Sequence, residues 1–465
     1  LMTPTNKIEF GDFQTPDDFA AKLVALLGTH GITPKTIIEP TCGVGSFLAA
    51  AAKHFKSAKL LGIDISPAYI KIAKERLGPR AEIQQSDFFG MDWAQVVKAR
   101  KGPILFLGNP PWVTNSQLGL LGSTNLPTKS NIKGLKGFEA RTGKSNFDIS
   151  EWMLIRLLEV LQPSGGSVAM LCKTSVARKL LKYASDKSLR FSGGKIFLID
   201  AAEVFGAAVD ACFLIFDVKS EANDYRLRVF RGPDAERHSS TIGIKGGQLI
   251  ADLKLYEASQ HLDGRYLSKW RSGVKHDCSK VMEFTLTEKG LQNGLGEIVD
   301  LEPTVIFPLL KSSDLANGRI TKPLRRVLIT QSSPAEDTAQ IQRSAPKAWH
   351  YLMAHAELLD KRQSVIYKKR PRFSIFGIGD YSFAPWKVAI SGFYKSLRFQ
   401  VVPPSDDRPV MLDDTCYFLP CQSKAEALTI HEGLCSKDAQ AFFNSIIFWD
   451  TKRPLNTELL QRLDI

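Results

Sequence analysis

Residues 109–112, Asn-Pro-Pro-Trp, combine groups that could act on a planar amino group, and we call them the Asn-Pro-Pro-Trp turn. They follow the apolar run 104–108, which predicts a buried parallel strand ending in a short polar turn. In open α/β sheets, ligands bind in the crevice at the carboxyl ends of the strands. There Asn109 and the carbonyl of Pro110 would accept hydrogen bonds from an amine. Trp112 would stack on the ring that carries it.

A segment with two glycines earlier in the chain could hold a nucleotide-like cofactor. Residues 39–47 read Glu-Pro-Thr-Cys-Gly-Val-Gly-Ser-Phe, between a predicted strand at 36–39 and a predicted helix at 45–53. Gly43 and Gly45 let the backbone approach a ligand, and the helix start offers free N–H groups. This glycine turn lacks the third glycine of the dinucleotide fingerprint and the Gly-Lys-Ser/Thr of a P-loop. By itself it fits a tight connection equally well.

Acidic residues at the ends of the next two predicted strands strengthen the cofactor interpretation. Asp64 ends the strand 59–63, at the distance from the glycines where an acid can accept both hydroxyls of a ribose. Asp87 follows the strand 81–84 and could accept from an adenine amino group, although it could also cap a turn. Three strand ends in this order favour a shared ligand over three unrelated turns.

The order of these segments resembles the gamma class of DNA N6-adenine methyltransferases. The matching segments are Phe-Gln-Thr-Pro at 13–16, the glycine turn, Gly-Ile-Asp at 62–64, Ser-Asp-Phe at 86–88 and the Asn-Pro-Pro-Trp turn. That class carries Phe-x-Gln/Thr-Pro before the glycine motif and its specificity domain at the C-terminal end, and the resemblance covers the N-terminal half of this chain. The class more often has Tyr or Phe at the position of Trp112, which differs in size but keeps a stacking face.

The resemblance implies S-adenosylmethionine as the methyl donor and assigns residues to it. The residues implied to surround its methionine part and sulfur are Gln14, Thr15, Pro16, Glu39, Thr41, Gly43 and Gly45. Asp64 would bind the ribose and Ile65 would pack on the adenine. The edge and the face of that adenine would contact Asp87 and Phe88.

The chemistry implied for the Asn-Pro-Pro-Trp turn follows from the electronic structure of adenine, whose amino lone pair is delocalised into the ring. If Asn109 and the Pro110 carbonyl accept both amine hydrogens, the nitrogen becomes more tetrahedral, the lone pair localises and methyl transfer proceeds in line. The target must leave the duplex, and its faces would stack on Trp112 and Phe205, although Phe205 fits a core residue equally well. The residues assigned to catalysis are Asn109, Pro110, Pro111 and Trp112.

Basic side chains outside these motifs predict a polyanionic partner. The net charge is +13, which suggests nucleic acid without establishing it. Residues 113–146 are rich in Gly, Ser, Thr and Asn and predict a basic loop that closes over DNA backbone, with a solvated insertion as the alternative. The residues predicted to bind DNA are Lys129, Lys133, Lys136, Arg141, Lys369, Arg370 and Arg372.

Alternating strand and helix patterns over residues 17–215 predict an α/β, Rossmann-like class I methyltransferase fold with a mostly parallel sheet. After Lys219 the strands become short and aromatic, and glycine and proline turns multiply. The predicted division is 1–225 for the catalytic domain and 226–465 for an α+β domain that recognises the DNA target.

The spacing of the cysteines and the length of the apolar runs argue against a disulfide-linked, zinc-binding or membrane-spanning protein. Seven cysteines occur without Cys-x-x-Cys or zinc spacing, so we predict reduced thiols and no metal site. For the same reason His276-Asp277-Cys278 is interpreted as structural. No apolar run approaches the ~18 residues of a membrane span, and no signal-peptide pattern opens the chain. We therefore expect a cytoplasmic protein without a membrane partner.

The sequence favours a site-specific DNA adenine N6-methyltransferase, the modification enzyme of a restriction–modification or phage-defence system. Its expected partner is double-stranded DNA, and a cognate restriction endonuclease is left open. An RNA or protein-glutamine N-methyltransferase is the first alternative, disfavoured by the large basic C-terminal half. A non-catalytic DNA-binding specificity subunit is the second, disfavoured by the intact acids and Asn-Pro-Pro-Trp turn. Cytosine N4 methylation is a minor alternative because its turn usually begins with Ser.

Overall fold

The computed structural model describes residues 14–112, 148–219 and 223–464. Two compact units divide the chain, Leu1–Lys254 and Leu255–Ile465, and each has its own sheets and core. The predicted DNA-binding residues of the segment 113–146 lie outside the described residues, and they are Lys129, Lys133, Lys136 and Arg141.

One ten-stranded sheet forms the centre of the first unit, with strand order β10-β9-β8-β6-β7-β5-β4-β1-β2-β3. Its strands, numbered in chain order, are β1 (Thr36–Glu39), β2 (Lys59–Asp64), β3 (Glu82–Gln85), β4 (Ile104–Gly108), β5 (Gly166–Lys173), β6 (Ser192–Asp200), β7 (Asp210–Val218), β8 (Asp224–Phe230), β9 (Ser240–Lys245) and β10 (Gln248–Ile250). Strands β1 to β5 pair in parallel, and β7 runs antiparallel between β5 and β6. This is the predicted Rossmann-like methyltransferase sheet.

Helices alternate with the strands of the first unit, as the sequence pattern predicts. They are α1 (Asp17–Thr29), α2 (Ser46–His54), α3 (Pro67–Leu77), α4 (Trp93–Lys98), α5 (Ile149–Val160), α6 (Thr174–Asp186) and α7 (Ala201–Phe205). Every residue of β1 and β4 is buried, because a central parallel strand is covered on both faces. Helix α3 begins where the Ser66 hydroxyl accepts from the Tyr69 amide and Pro67 occupies the first turn.

The compact units divide at 254/255, whereas the sequence placed the domain boundary at 225/226. The reason is that β8 pairs in parallel with β6, and β9 and β10 follow it in antiparallel pairs. β8 to β10 follow the point where the composition of the chain changes, but their backbone hydrogen bonds extend the first sheet. The amino-acid composition of a strand does not identify the strand with which it pairs.

The second unit is an α+β structure, as predicted, with two further sheets. The four-stranded sheet contains, in spatial order, β11 (Arg271–Ser272), β20 (Cys416–Cys421), β17 (Trp386–Ser391) and β18 (Gln400–Val402). The six-stranded sheet contains, in spatial order, β14 (Ile298–Val299), β13 (Gly290–Asn293), β12 (Glu283–Thr287), β16 (Arg325–Leu328), β15 (Ile306–Leu310) and β19 (Met411–Leu412).

The helices of the second unit pack around these sheets. They are α8 (Leu253–Ser259), in which the division between the units falls, α9 (Ser279–Met282), α10 (Ser312–Ala316), α11 (Ile341–Ser344), α12 (Pro346–Ala354), α13 (Ala356–Asp360), α14 (Lys424–Cys435), α15 (Lys437–Ile446) and α16 (Thr457–Leu460). In the described part of the chain, no helix is long and apolar enough to cross a membrane.

His276 takes part in a polar network within the second unit. Its Nδ1 accepts from the Cys278 amide (3.2 Å), and its Nε2 lies 3.2 Å from Glu283 Oε1. Lys311 pairs with the other oxygen of Glu283 (2.6 Å) and, with His276, holds the pKa of that carboxyl below its usual range against the effect of burial. Across the described ranges, no group of three or more His, Cys, Asp or Glu side chains could hold a metal ion.

Candidate active site

The polar residues that sequence analysis placed at strand ends do meet at one edge of the first sheet. Strands β4, β1, β2 and β3 are consecutive neighbours and run in parallel, so their carboxyl ends share that edge. Glu39 and Asp64 end β1 and β2, Asp87 follows β3, and Asn109 follows β4. The topology therefore gathers the acids and the Asn-Pro-Pro-Trp turn around one crevice.

The glycine turn has the backbone conformation that its two glycines permit. Gly43 and Gly45 have φ values of 49° and 82°, in the left-handed region that favours glycine. The Gly43 amide donates to Asp64 Oδ2 (2.8 Å), and the Ser66 amide donates to Asp64 Oδ1 (2.8 Å). These bonds fix the orientation of the Asp64 carboxylate beside the glycine turn. Helix α2 starts at this turn without a side-chain cap.

Two buried polar atoms beside the glycine turn make no hydrogen bond within the described structure, namely Glu39 Oε2 and Thr41 Oγ1. The Glu39 side chain lies against Gly108, where an added Cβ would come within 3.0 Å of Glu39 Cγ. Burial raises the pKa of Glu39 well above its usual range, and the negative charge of Asp64 adds to the increase. A buried polar atom left unpaired costs about 1–3 kcal/mol, which a ligand with hydrogen-bond donors would recover.

The segment before α1 connects the glycine turn to the Asn-Pro-Pro-Trp turn. Gln14 Oε1 accepts from the Val44 amide (3.3 Å), and Thr15 Oγ1 accepts from Asn109 Nδ2 (3.3 Å). Pro16 is exposed at the start of α1. Because the Asn109 amide nitrogen is directed at Thr15, the amide oxygen lies on the opposite side of that side chain. The structure thus brings the residues predicted to contact cofactor and amine next to each other.

The rings of Trp112 and Phe205 lie in contact. Their centroids are 5.2 Å apart at an interplanar angle of 77°, and the Trp112 side chain is only 5% exposed. Phe205 ends α7 and is half-buried, with the ring of Phe19 at 6.3 Å. A base between two ring faces needs the rings about 7 Å apart, twice the ~3.5 Å of carbon–carbon contact. Admission of a base between them therefore requires the pair to separate.

The residues predicted to contact the cofactor adenine differ in accessibility. Ile65 is 49% exposed just beyond β2, and Asp87 is exposed with its Oδ1 accepting from the Phe89 amide (3.0 Å). Asp87 therefore caps a turn, which the sequence allowed as an alternative to contact with the cofactor adenine. Its contact with that adenine stays a prediction. Phe88 is buried, with its ring centroid 4.8 Å from that of Trp93. The role of Phe88 at the adenine face stays a prediction.

Sequence reasoning missed a partly buried ion pair beside the Asn-Pro-Pro-Trp turn. Lys173 Nζ, at the carboxyl end of β5, lies 2.6 Å from Asp148 Oδ2 and donates to the Trp112 carbonyl (3.3 Å). Asp148 also caps α5, where its Oδ1 accepts from the Ser150 amide (3.1 Å). The available signal was positional, since β5 pairs in parallel with β4 and a polar residue at its end reaches the same crevice.

The predicted DNA-binding residues of the second unit are exposed, but not all have a free charge. Arg372 Nε lies 3.1 and 3.2 Å from the two carboxylate oxygens of Asp360. Arg370 donates to the Pro334 carbonyl at 3.5 Å, and Lys369 adopts a positive φ of 69°. Lys369 and Arg370 thus present their charges to solvent more fully than Arg372 does.

An arginine cluster that sequence analysis did not single out surrounds α10 in the second unit. Asp314 faces Arg325 (2.8 Å) and Arg319 (3.5 Å), and Arg398 donates to the Ala316 carbonyl (2.9 Å). Two guanidinium groups thus share one carboxylate and a third binds a backbone carbonyl, so the three arginines carry more positive charge than Asp314 neutralises. Its members are dispersed in the sequence, which is why no local pattern reveals them.

Comparison with known proteins places the fold among methyltransferases. Residues 37–98 match the family model described as "Methyltransferase domain", which spans β1 to α4. The Type IIL restriction-modification enzyme MmeI, solved in complex with DNA, superimposes with a TM-score of 0.58 at 15% identity. That alignment covers 98% of this chain and 65% of the MmeI chain. The structural likeness extends over both units and shows a shared fold.

The methyltransferase domain identifies S-adenosylmethionine as the methyl donor. The site fits this molecule, because its ammonium group has N–H donors. Glu39 Oε2 and Thr41 Oγ1 are buried acceptors that make no hydrogen bond within the described structure. The oriented carboxylate of Asp64 suits the ribose hydroxyls, and the exposed Ile65 suits the adenine. These residues would hold the cofactor, which contributes a sulfonium methyl group to the reaction.

Sequence relatives extend over the whole chain. The Type II methyltransferase M.NspV of Nostoc sp. is 43% identical over 465 residues, covering 99% of this chain and 97% of the relative. The Type II methyltransferase M.CvrRI of Paramecium bursaria Chlorella virus XZ-6E is 35% identical over 113 residues, 24% of this chain and 27% of that one. The resemblance to methyltransferases of the restriction–modification type is therefore confirmed, and the chain belongs to the Type II methyltransferases.

Proposed function

We propose that the protein is a site-specific DNA adenine N6-methyltransferase that acts on a base turned out of the duplex. The observation that carries the proposal is the setting of Asn109 at the end of β4. Its amide nitrogen donates to Thr15, its amide oxygen is an acceptor of the kind that an amine requires, and Trp112 of the same turn contacts the ring of Phe205. An acceptor for an amino group beside two aromatic rings suits a planar, amine-bearing base.

The chain's own groups account for the activation of the amine. Asn109 Oδ1 and the Pro110 carbonyl accept the two amine hydrogens, which localises the nitrogen lone pair. Pro111 limits the backbone conformations of the turn and so keeps the Pro110 carbonyl in place. Methyl transfer would form the new N–CH₃ bond as the S–CH₃ bond breaks, the sulfonium sulfur would leave as a neutral thioether, and the resulting cation would lose its proton to water. No side chain needs to act as a base, because that cation is strongly acidic.

The cofactor roles complete the proposal. Glu39 and Thr41 face the amino acid end of S-adenosylmethionine, where Gly43 and Gly45 allow the backbone to approach. Gln14, Thr15 and Pro16 cover its methionine part from the start of α1. Asp64 accepts from the ribose, while the adenine lies near Ile65, Asp87 and Phe88. The unpaired atoms of Glu39 and Thr41 and the orientation of Asp64 support these assignments.

DNA contact is proposed for the second unit and for the segment 113–146. Lys369 and Arg370, rather than Arg372, supply the solvent-facing charges of the basic segment near residue 370. The arginine cluster around α10 adds a second positive surface. Basic groups of this kind neutralise phosphates and give binding a steep dependence on salt. A restriction endonuclease of the same specificity is the proposed partner in the cell.

The test is to express the protein in a host that lacks DNA methylation and to identify the modified base in its DNA. N6-methyladenine at one short recurring sequence is the expected result. N4-methylcytosine would replace the adenine assignment, since that amine suits the same acceptors. New methylation of RNA or of protein glutamine, with none in DNA, would overturn the choice of substrate. Cofactor binding without methyl transfer to any of these would favour the non-catalytic specificity subunit.

A further inference from the structure

The Asn-Pro-Pro-Trp turn has few backbone donors with which to hold its own shape. Pro110 and Pro111 lack N–H groups, so two of the four residues cannot donate a backbone hydrogen bond. At one end, Asn109 donates to Thr15 (3.3 Å). At the other end, the Trp112 carbonyl accepts from Lys173 (3.3 Å). The position of the turn therefore depends on contacts that neighbouring elements make with its ends.

Lys173 is well suited to fix the second end because its ammonium is itself held in place. Asp148 Oδ2 lies 2.6 Å from Lys173 Nζ, and the two side chains are only 6% and 21% exposed, respectively. Asp148 is fixed in turn by its bond to the Ser150 amide at the start of α5. A sheltered ion pair of this kind is screened little by solvent, and the loss of one partner leaves the other charge poorly compensated.

We propose that Lys173 and Asp148 are positioning residues, which fix the catalytic turn through the Trp112 carbonyl. The proposal rests on the proposed function, in which the turn accepts the amine and Trp112 stacks on the base. Lys173 acts from β5, and Asp148 acts from the start of α5, so the pair ties the turn to the strand beside β4. Neither side chain touches substrate in this assignment. Their effect is on where the amine acceptors and the indole lie.

The expected effect is on the chemical step rather than on cofactor affinity. A displacement of about 1 Å at the reacting groups can lower a rate by about 10²-fold. Lys173→Met keeps most of the side-chain volume but removes the donor and the charge, and Asp148→Asn removes the charge that orients Lys173. We therefore expect kcat to fall by about tenfold or more in each variant. The glycine turn is untouched, so the Kd of S-adenosylmethionine should stay unchanged.

The experiment compares Lys173→Met, Asp148→Asn and the double variant with wild type. Lys182→Met is the matched control, because it removes a partly exposed lysine of α6 that forms an ion pair with Asp186 on the same helix. Four quantities are measured on the full chain: kcat and KM for unmethylated plasmid DNA, the Kd of S-adenosylmethionine by calorimetry, and Tm. Since the two residues act as a unit, the double variant should lose no more than the worse single variant.

Two results would overturn the positioning role. One is a kcat of Lys173→Met equal to that of wild type and Lys182→Met. The other is a loss of kcat that is matched by loss of cofactor binding and of Tm, which would mark a purely structural pair. Lys173→Arg further distinguishes a positioning role from a purely structural one. It keeps the positive charge, so its kcat should be higher than that of Lys173→Met. Product analysis of the wild-type reaction identifies the methylated base independently, so a wrong substrate assignment would be recognised separately.

Discussion

Replacement of Phe205 by alanine tests whether the Trp112–Phe205 pair holds the target base. The two rings are in contact at 5.2 Å in an edge-to-face arrangement. In the proposed reaction the rings separate, and a base face replaces the ring contact on each side. Phe205→Ala removes one of the two stacking faces and also removes the ring contact that must be broken.

These two effects oppose each other, so the net magnitude is moderate. Loss of a stacking face costs about 1–3 kcal/mol per base. The ring pair that no longer needs to be broken is worth about 0.5–1.5 kcal/mol. The difference between the midpoints of these two ranges is a net loss of about 1 kcal/mol, which corresponds to a rate lower by about fivefold at subsaturating DNA.

The assay is single-turnover transfer of labelled methyl groups to unmethylated duplex DNA, with the cofactor Kd measured in parallel. Phe205→Tyr is the matched control, because it keeps the ring face and should react at the wild-type rate. A Phe205→Ala rate equal to that of wild type would refute the stacking role. A much larger loss of rate, accompanied by lost cofactor binding, would identify Phe205 as a core residue of the first unit instead.

Three further predictions concern polar groups. Thr15→Val removes the acceptor of the Asn109 amide, a neutral hydrogen bond worth about 1 kcal/mol, so single-turnover transfer should slow by up to about fivefold. A wild-type rate would show that this bond does not orient the amide. The raised pKa of Glu39 predicts that it releases a proton when the ammonium of S-adenosylmethionine binds, so affinity should rise with pH and level off above that pKa. Calorimetry in buffers of different ionisation enthalpy measures the released proton, and Glu39→Gln should abolish the effect. Burial lowers the pKa of Lys387 to about 7 from 10.5, so the unfolded chain binds more protons in that interval. The free energy of unfolding should therefore rise with pH by up to about 1.4 kcal/mol per unit there, and Lys387→Met should remove that slope in urea titrations.

The sequence predicts the sheet edge that forms the site because each strand end there has a local signal. The run 104–108 is uniformly apolar, and a fully buried parallel strand requires that pattern. Gly43 and Gly45 adopt the positive φ values that other residues rarely adopt, so their presence indicates the turn. Strands β8 to β10 belong to the first sheet although nearly all of their residues follow the predicted boundary, because the pairing of β8 with β6 is a long-range contact that local composition does not encode.

The contacts within the site are less predictable than its residues. Lys173 and Asp148 are 25 residues apart, and their pairing depends on how α5 and β5 pack. The arginine cluster around Asp314 is likewise assembled from dispersed positions. The burial of Phe88 against Trp93 depends on the packing of α4 near β4, where the Trp93 ring contacts Phe106, and the segment Ser-Asp-Phe gives no signal for this packing. Sequence motifs indicate which residues could do chemistry, whereas tertiary packing determines which side chains those residues contact.

The central claim, that Asn109 accepts an adenine amine, is tested most directly by methyl transfer with wild type and Asn109→Ala side by side. Both proteins are incubated with labelled S-adenosylmethionine and unmethylated duplex DNA, and the labelled nucleosides are identified. We predict N6-methyladenine with wild type, none above background with Asn109→Ala, and the same cofactor Kd for both. Normal turnover by Asn109→Ala, or a labelled base other than adenine in the wild-type reaction, would contradict the account.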